Sequence, residues 1–411
     1  MAPAGPRDFV EARQAGDAFA PEFLLAAACC RWPPSESRNA AIRSAAANDI
    51  DWDEFLRVVR RQRVAGLVHD ALFLAGIGCP PVIATKLARQ AERLVRRNVD
   101  LAAETARLQR VLDAAGIPVL VLKGPALAQL AYGSFMAKHG RDIDFLVPPD
   151  RAEAALQILE GEDYTLPSPA KHLSATQRRA LVRYAREAEL RYRGKKLPVE
   201  LQWRAADNPL LLKGLDAHSP AQNVTLANGA TLRTLAQDDL FAYLCVHGAR
   251  HSWSRLKWLA DLNALISANA ADIGRLYRHA HQIGAGLCAG QALLLCHRLF
   301  ALKLPAGLAD ELSAQRRLEK LVAIAMAAMA APHTETEVDG GVAGVTRFVH
   351  TQFLLGQGWP FYLAQCRVLS IAAADVIRWP LPRPLHFLYP LLRLPLWLRR
   401  RAAAAFGPRR E

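Results

Sequence analysis

The run Arg141-Asp142-Ile143-Asp144-Phe145-Leu146-Val147 sets two carboxylates on either side of a single apolar residue. Alternate side chains of a strand share a face, so Asp142 and Asp144 point one way while Ile143, Phe145 and Val147 point into a core. Carboxylates held side by side repel and raise each other's pKa, and a divalent cation removes the conflict. Mg²⁺ (or Mn²⁺) takes hard oxygen ligands of this kind, commonly a few carboxylates completed by substrate phosphates. Glu200, in Leu197-Pro198-Val199-Glu200-Leu201-Gln202-Trp203, offers a third carboxylate on a second strand, with Val199 and Leu201 facing the core. Three such groups suffice for two ions, one activating an attacking hydroxyl and one steadying a leaving group. An Asp-x-Asp pair also arises on ordinary solvated strands, so its surroundings carry the argument. An apolar strand ends in Lys123-Gly124, a helix and loop return the chain to Asp142, and the acidic strand of Glu200 follows.

The elements that must position these groups can be read from periodicity. Residues 1–20 read as a flexible tail and 21–116 as an N-terminal helical region, whose last helix opens at Pro80-Pro81 and stops before Gly116. The period changes in 117–234. Ile117 to Leu122 is a continuous, branched, apolar run typical of a buried strand. Residues 125–132 read as a short helix, 133–140 as a loop and Asp142 to Val147 as a strand. Asp150 is placed to cap a helix, and Glu189–Arg193 and Leu197–Trp203 form two more strands joined at Gly194-Lys195. Residues 235–345 read as a C-terminal helical domain, with an apolar helix at Leu318–Ala331 and a loop from 332, and 346–411 as a basic apolar tail region. The expected class is α+β: a small mixed sheet between two helical regions.

On the helix around residue 247, His247 and His251 lie four apart, with Arg255 one turn further and Asp261 closing the segment. Three readings stay open: a zinc pair completed by Asp261, a polar cluster lining the cleft against phosphate or base, or hydrogen bonds pinning this helix to the sheet with Trp253 and Trp258 as core. The end of the chain mixes Arg378, Arg383, Arg393, Arg399, Arg400, Arg401, Arg409 and Arg410 with Trp, Phe, Tyr, Leu and repeated Pro. Such a segment either wraps across the helical domain or meets an acidic membrane surface with Trp397 or Tyr389 at the interface.

The motifs resemble the nucleotidyltransferase superfamily with the polymerase-beta-type fold, and more closely its bacterial branch of uncharacterised nucleotidyltransferases. The branch pattern reads here as Val121-Leu122-Lys123-Gly124, Leu127, Tyr132, then Arg141 and Asp142 to Val147, followed by Leu244-Cys245-Val246-His247-Gly248, His251, Trp253, Arg255-Leu256, Trp258-Leu259 and Asp261-Leu262. The likeness covers roughly residues 21–300. It implies that Asp142, Asp144 and Glu200 bind metal and catalyse, and that Gly124 starts a helix whose amides approach a triphosphate. Lys123, Gly124, Arg141, His247, His251 and Arg255 are then the nucleotide-binding candidates. The chain departs from the superfamily at one turn: Lys123-Gly124 replaces Gly-Ser and Pro125 removes an amide donor, which leaves Lys123 to supply charge. Gln202 stands where relatives in the branch often carry His. The resemblance implies transfer of an NMP group from an NTP such as ATP to an acceptor hydroxyl on a sugar-phosphate, another small molecule, a protein side chain or an RNA end. The alternative is a non-catalytic descendant that binds nucleotide as a membrane-side scaffold.

Bulk properties narrow the classes. The 411 residues are 52% hydrophobic and 22% charged, which suits a folded protein that needs no metal or disulfide to hold its core. A net charge of +14 favours anionic partners, but nucleic-acid binding as a main role rests on charge alone, with no recognised motif. The seven cysteines form no C-x-x-C pair, as expected of buried free thiols in a reducing compartment. No signal peptide or uninterrupted membrane span is recognisable, so the expected location is the cytoplasm, with membrane contact through 379–411.

Overall fold

The computed structural model describes residues 19–136, 138–167, 173–192, 194, 197–268, 272–331, 342–393, 395–396 and 399. Most of the expected N-terminal tail, most of the loop after 331, Arg193, Lys195, Trp397, Arg400, Arg401, Arg409 and Arg410 lie outside them. In chain order the elements are α1 (Pro21–Cys29), α2 (Glu36–Ala46), α3 (Trp52–Gln62), α4 (Ala65–Ala75), α5 (Pro81–Ala114), β1 (Leu120–Val121), α6 (Gly124–Tyr132), β2 (Ile143–Leu146), α7 (Ala152–Gly161), β3 (Tyr164–Thr165), α8 (Ala175–Tyr184), β4 (Glu187–Tyr192), β5 (Val199–Gln202), β6 (Ala221–Thr225) and β7 (Thr231–Leu235). The remainder is helical: α9 (Gln237–Arg250), α10 (Leu256–Ala268), α11 (Ile273–Gln282), α12 (Gly286–Phe300), α13 (Leu308–Ser313), α14 (Arg316–Ala330), α15 (Val342–Leu354), α16 (Trp359–Ser370), α17 (Ala373–Arg378) and a 3₁₀ turn at Arg383–Leu388. This is the expected α+β class.

The sheet runs β1-β2-β5-β4-β3. It is mixed: β2 and β5 are parallel, while β1–β2, β5–β4 and β4–β3 are antiparallel. Ile143, Phe145, Val147, Val199 and Leu201 enter one core with α7, Trp203 and the C-terminal half of α5. A second core joins α1–α4 to α9–α14, so the N-terminal helices pack with the C-terminal ones and form no separate layer. Long α5 serves both cores, with Leu87 in one and Leu108 and Leu112 in the other.

Several local readings change. Asp150 does not cap α7; Arg151 occupies that position and Asp150 is exposed. The first strand shrinks to Leu120–Val121, although the Leu122 amide still donates to Asp144 O at 3.0 Å. Helix α8 is held by a capping box between Ser174 and Gln177, and β6–β7 is a separate hairpin, both absent from the periodicity reading. Near the C-terminus, Trp359–Arg378 is long and apolar enough by length and composition to cross a membrane. The helix breaks within it at Ile371 and Ala372, which are extended, and Phe361, Gln365, Asp375, Val376 and Ile377 are buried.

Candidate active site

The parallel register of β2 and β5 pairs Asp144 with Glu200 directly. Asp142 stands one residue ahead of β2, and all three carboxylates border one cleft. Asp144 is 1% exposed, so an unpaired charge there would be costly. Lys123 Nζ meets Asp144 Oδ1 at 2.7 Å, and Gln202 Nε2 stands 3.5 Å from the same atom. Oδ2 is buried without a donor so long as Glu200 is ionised.

The three acids titrate apart. Burial pushes Glu200 up to about 9, with the Asp144 charge adding to the rise and Lys123 opposing it. Burial also raises Asp144, and Lys123 pulls it back. Asp142 is held below the ordinary range: burial opposes this, but Lys123, Lys257, Lys138 and Arg141 outweigh it. With Glu200 protonated, one proton is retained among the three carboxyl groups and eases the repulsion between them.

Lys123 precedes α6 as its N-cap residue, and Gly124 begins the helix at φ +61°. A side chain at residue 124 would be strained by that backbone, which explains the glycine. Burial alone would push Lys123 down, but Asp144, Tyr243, Glu200 and Asp142 hold its pKa well above the usual value. Its ammonium also lies 3.5 Å from His247 Nε2. His247 is held neutral by burial and by the charge of Lys123, so its ring nitrogen can accept from the ammonium.

The facing wall comes from α9 and α10. His247 and His251 have ring centroids 4.9 Å apart, and Trp258 lies 5.5 Å from the first and 5.2 Å from the second. Gly248 is required here, because a Cβ would meet the Trp253 ring at 2.4 Å. Asp261 accepts from Tyr132 Oη at 3.0 Å through Oδ1 and pairs with Lys138 Nζ at 3.3 Å through Oδ2. It thereby ties α10 to α6. Gln202 Oε1 accepts from Arg186 at 3.0 Å and from Tyr243 Oη at 3.2 Å, which fixes its amide beside Asp144.

Lys123, Gly124, Asp142, Asp144, Glu200, His247 and His251 all line this cleft. Arg141 lies outside its inner chamber, on an adjoining groove of about 600 Å³ that also touches Asp142 and Glu200. The inner chamber measures about 90 Å³, so a nucleotide-sized ligand needs the outer groove. Arg255, expected at the nucleotide, does not line the cleft. Helix α9 ends at Arg250, the chain turns through Ser252 and Trp253 at positive φ, and Arg255 does not continue the histidine face. Arg255 is 2% exposed and its guanidinium donates to the Arg61 carbonyl at 3.0 Å, joining the approach to α10 to α3.

Lys138, Arg186, Lys257 and Arg63 line the cleft but were not among the expected residues. Lys257 had a signal: a lone cation inside the apolar stretch Leu256 to Leu259. Burial pushes its pKa down to about 7, and neighbouring Lys138 adds to the drop.

Among the described residues, no three His, Cys, Asp or Glu side chains are already gathered as a ligand cage. Lys123 holds Asp144, and Asp261 is engaged by Tyr132 and Lys138, away from a zinc role. The donor chemistry of Asp142, Asp144 and Glu200 nevertheless suits a hard divalent cation: once the Glu200 proton is displaced, the buried Asp144 Oδ2 has no donor and is open to a metal.

A family model described as "Uncharacterised nucleotidyltransferase" matches residues 48–301, which span the sheet, the cleft and the histidine helix. The chain belongs to this family, and nucleotidyl transfer from an NTP is the general activity that membership supports. No curated protein matches the chain.

Proposed function

We propose that the chain transfers an NMP group from an NTP to an acceptor hydroxyl at the Asp142/Asp144/Glu200 cleft. In that reaction the hydroxyl oxygen bonds to the α-phosphorus and the bond from that phosphorus to the bridging oxygen breaks. Pyrophosphate leaves with the electron pair, and the hydroxyl proton passes to the carboxylate set. Asp142, Asp144 and Glu200 would hold Mg²⁺ or Mn²⁺, which supplies charge neutralisation and hydroxyl activation when bound. Lys123 and Lys257 place cations on the walls facing the carboxylates, where triphosphate charge would lie. His247 and His251 with Trp258 offer an aromatic, uncharged flank to the nucleotide.

The in-register pairing of Asp144 with Glu200 carries this reading. A scaffold that only bound nucleotide would gain nothing from two carboxylates held together in a buried strand pair at a cost in desolvation. The test is to incubate the protein with each α-labelled NTP, Mg²⁺ or Mn²⁺ and a cell extract, then identify any labelled product. Transfer is expected with wild type and not with Asp142→Asn. Equal labelling by both would refute the assignment.

A peripheral membrane contact through the region from residue 379 is also proposed. Its support is a row of exposed apolar side chains, with Phe387 at 69% and Leu391 at 73%, close to Arg393. Tyr389 is excluded as an interfacial anchor: it is 2% exposed and donates to the Trp379 carbonyl at 2.8 Å.

A further inference from the structure

A second cavity, about 290 Å³, lies beside the cleft between the C-terminal turn of α3, one face of α5 and the loop before β2. Its charged lining is Arg60, Arg63, Arg93, Arg97 and Arg141, with His139; among the described residues no Asp or Glu lines it. The imbalance is local and selective. On the same two helices Arg57 is paired with Glu54 and Arg96 with Glu92. Arg60 and Arg93 form no ion pair with a carboxylate among the described residues, and Arg141 acts on Asp142 without forming one. Asp142 offsets part of the charge of Arg97 and Arg141 from the adjoining groove, but guanidinium groups that outnumber nearby carboxylates still repel one another, and an oxyanion relieves that repulsion with bidentate hydrogen bonds.

The loop wall is built in advance. Asn98 Nδ2 donates to the Met136 carbonyl at 2.9 Å and the Lys138 carbonyl at 2.6 Å, while Gly140 N donates to Asn98 Oδ1 at 3.3 Å. Arg97 donates to the carbonyls of Gly140 and Arg141 at 3.2 and 2.7 Å. A Cβ at Gly140 would meet Leu101 at 2.5 Å, so the loop lies directly on α5. Preorganisation of this kind lowers the cost of binding. Arg63, Arg97 and Arg141 also line the outer groove that contains Asp142 and Glu200.

We propose that this arginine-lined cavity seats the phosphate of the acceptor, a small phosphate monoester, and so presents the acceptor's hydroxyl to the outer groove at Asp142 and Glu200. The acceptor role rests on the nucleotidyl-transfer reading; the binding of the phosphate does not. A single-stranded RNA end fits less well, because base recognition relies on aromatic stacking platforms and among the described residues no Phe, Tyr or Trp lines the cavity. His139 reports on the site, since burial and the charges of Lys257, Arg63, Lys138 and Arg141 push its ring down to about 3. A seated phosphate would bring that value back up.

The test is calorimetry on the full chain with inorganic phosphate, a hexose 1-phosphate, the free hexose, a short single-stranded RNA, and Mg²⁺ with a non-hydrolysable NTP. The variant is Arg60→Ala with Arg93→Ala, two exposed positions outside the catalytic cleft. Phosphate and hexose phosphate are expected to bind wild type and free hexose not. The double variant should weaken the hexose phosphate by about tenfold or more while leaving the NTP analogue unchanged. NMR of the His139 ring should show its pKa rising on saturation with the hexose phosphate. Failure of hexose phosphate to bind, equal binding by the variant, or binding of RNA alone would overturn the proposal. Equal weakening of the NTP analogue would do so too, by making the cavity part of the triphosphate site. Hexose-phosphate binding in a protein that binds no NTP would refute the acceptor role through the nucleotidyl-transfer reading, leaving the cavity an anion site of another kind.

Discussion

Glu200 and Lys257 make the cleft's pH behaviour opposite in sign. Glu200 is raised from 4.5 to about 9, so the folded protein keeps a proton that the unfolded chain has lost. Its contribution to stability is full below about pH 4.5 and is lost as pH rises towards 9. Lys257 is lowered from 10.5 to about 7, so its burial cost is present below 7 and is relieved as pH rises towards 10.5. Between about pH 5 and about pH 7 only the Glu200 slope operates of these two. Thermal unfolding in chelator should therefore show wild type losing stability over that window relative to Glu200→Gln; parallel curves would contradict the buried carboxyl. On the proposed function, Lys257 would link nucleotide binding to protons, taking one up as Glu200 gives one up to the metal. Calorimetry in buffers of different ionisation heat should show Mg²⁺ with a non-hydrolysable NTP releasing fewer protons near neutral pH from wild type than from Lys257→Met. The variant should also bind more weakly, whereas equal proton release by the two would place the titrating group elsewhere.

At the scale of elements, two short segments shape the cleft: the β2–β5 pair, and the turn from α9 into α10. The second depends on Gly248, whose missing side chain admits Trp253. Gly248→Ala should cost about 1–3 kcal/mol in chemical denaturation and reduce NTP binding, because overpacking displaces Trp253 and with it the histidine wall. A variant of unchanged stability would show that the ring moves freely. The strands were legible in the sequence because period-two alternation separates Asp142 and Asp144 from Ile143, Phe145 and Val147, and the same alternation places Glu200 between Val199 and Leu201. The helix around His247 was legible too, but its end was not. Residues 252 and 253 take left-handed backbone without being glycine, so Arg255 looked like a continuation of the helical face and instead packs under α3. Lys138, Arg186 and Arg63 reach the cleft from a loop, a strand approach and a helix cap, and no spacing rule connects residues so far apart in the chain.

Over the whole molecule, the N-terminal helices and the C-terminal bundle share a core that backs the cleft, while the region from 373 folds back onto the core of the sheet. There Tyr184 Oη lies 2.6 Å from His386 Nδ1, and Arg393 pairs with Asp375 at 2.9 Å. The described tail thus braces α8, leaving Phe387 and Leu391 outward. Phe387→Ala with Leu391→Ala should abolish co-sedimentation with anionic vesicles without lowering the melting temperature; sedimentation equal to wild type would remove the membrane contact. The central claim is the carboxylate site, and the most direct measurement is Mg²⁺-dependent NTP turnover by wild type, Asp142→Asn and Asp144→Asn at matched folding. The account predicts turnover in wild type and its loss, by about a hundredfold or more, in each variant with the fold intact. Turnover unchanged in either variant would contradict it.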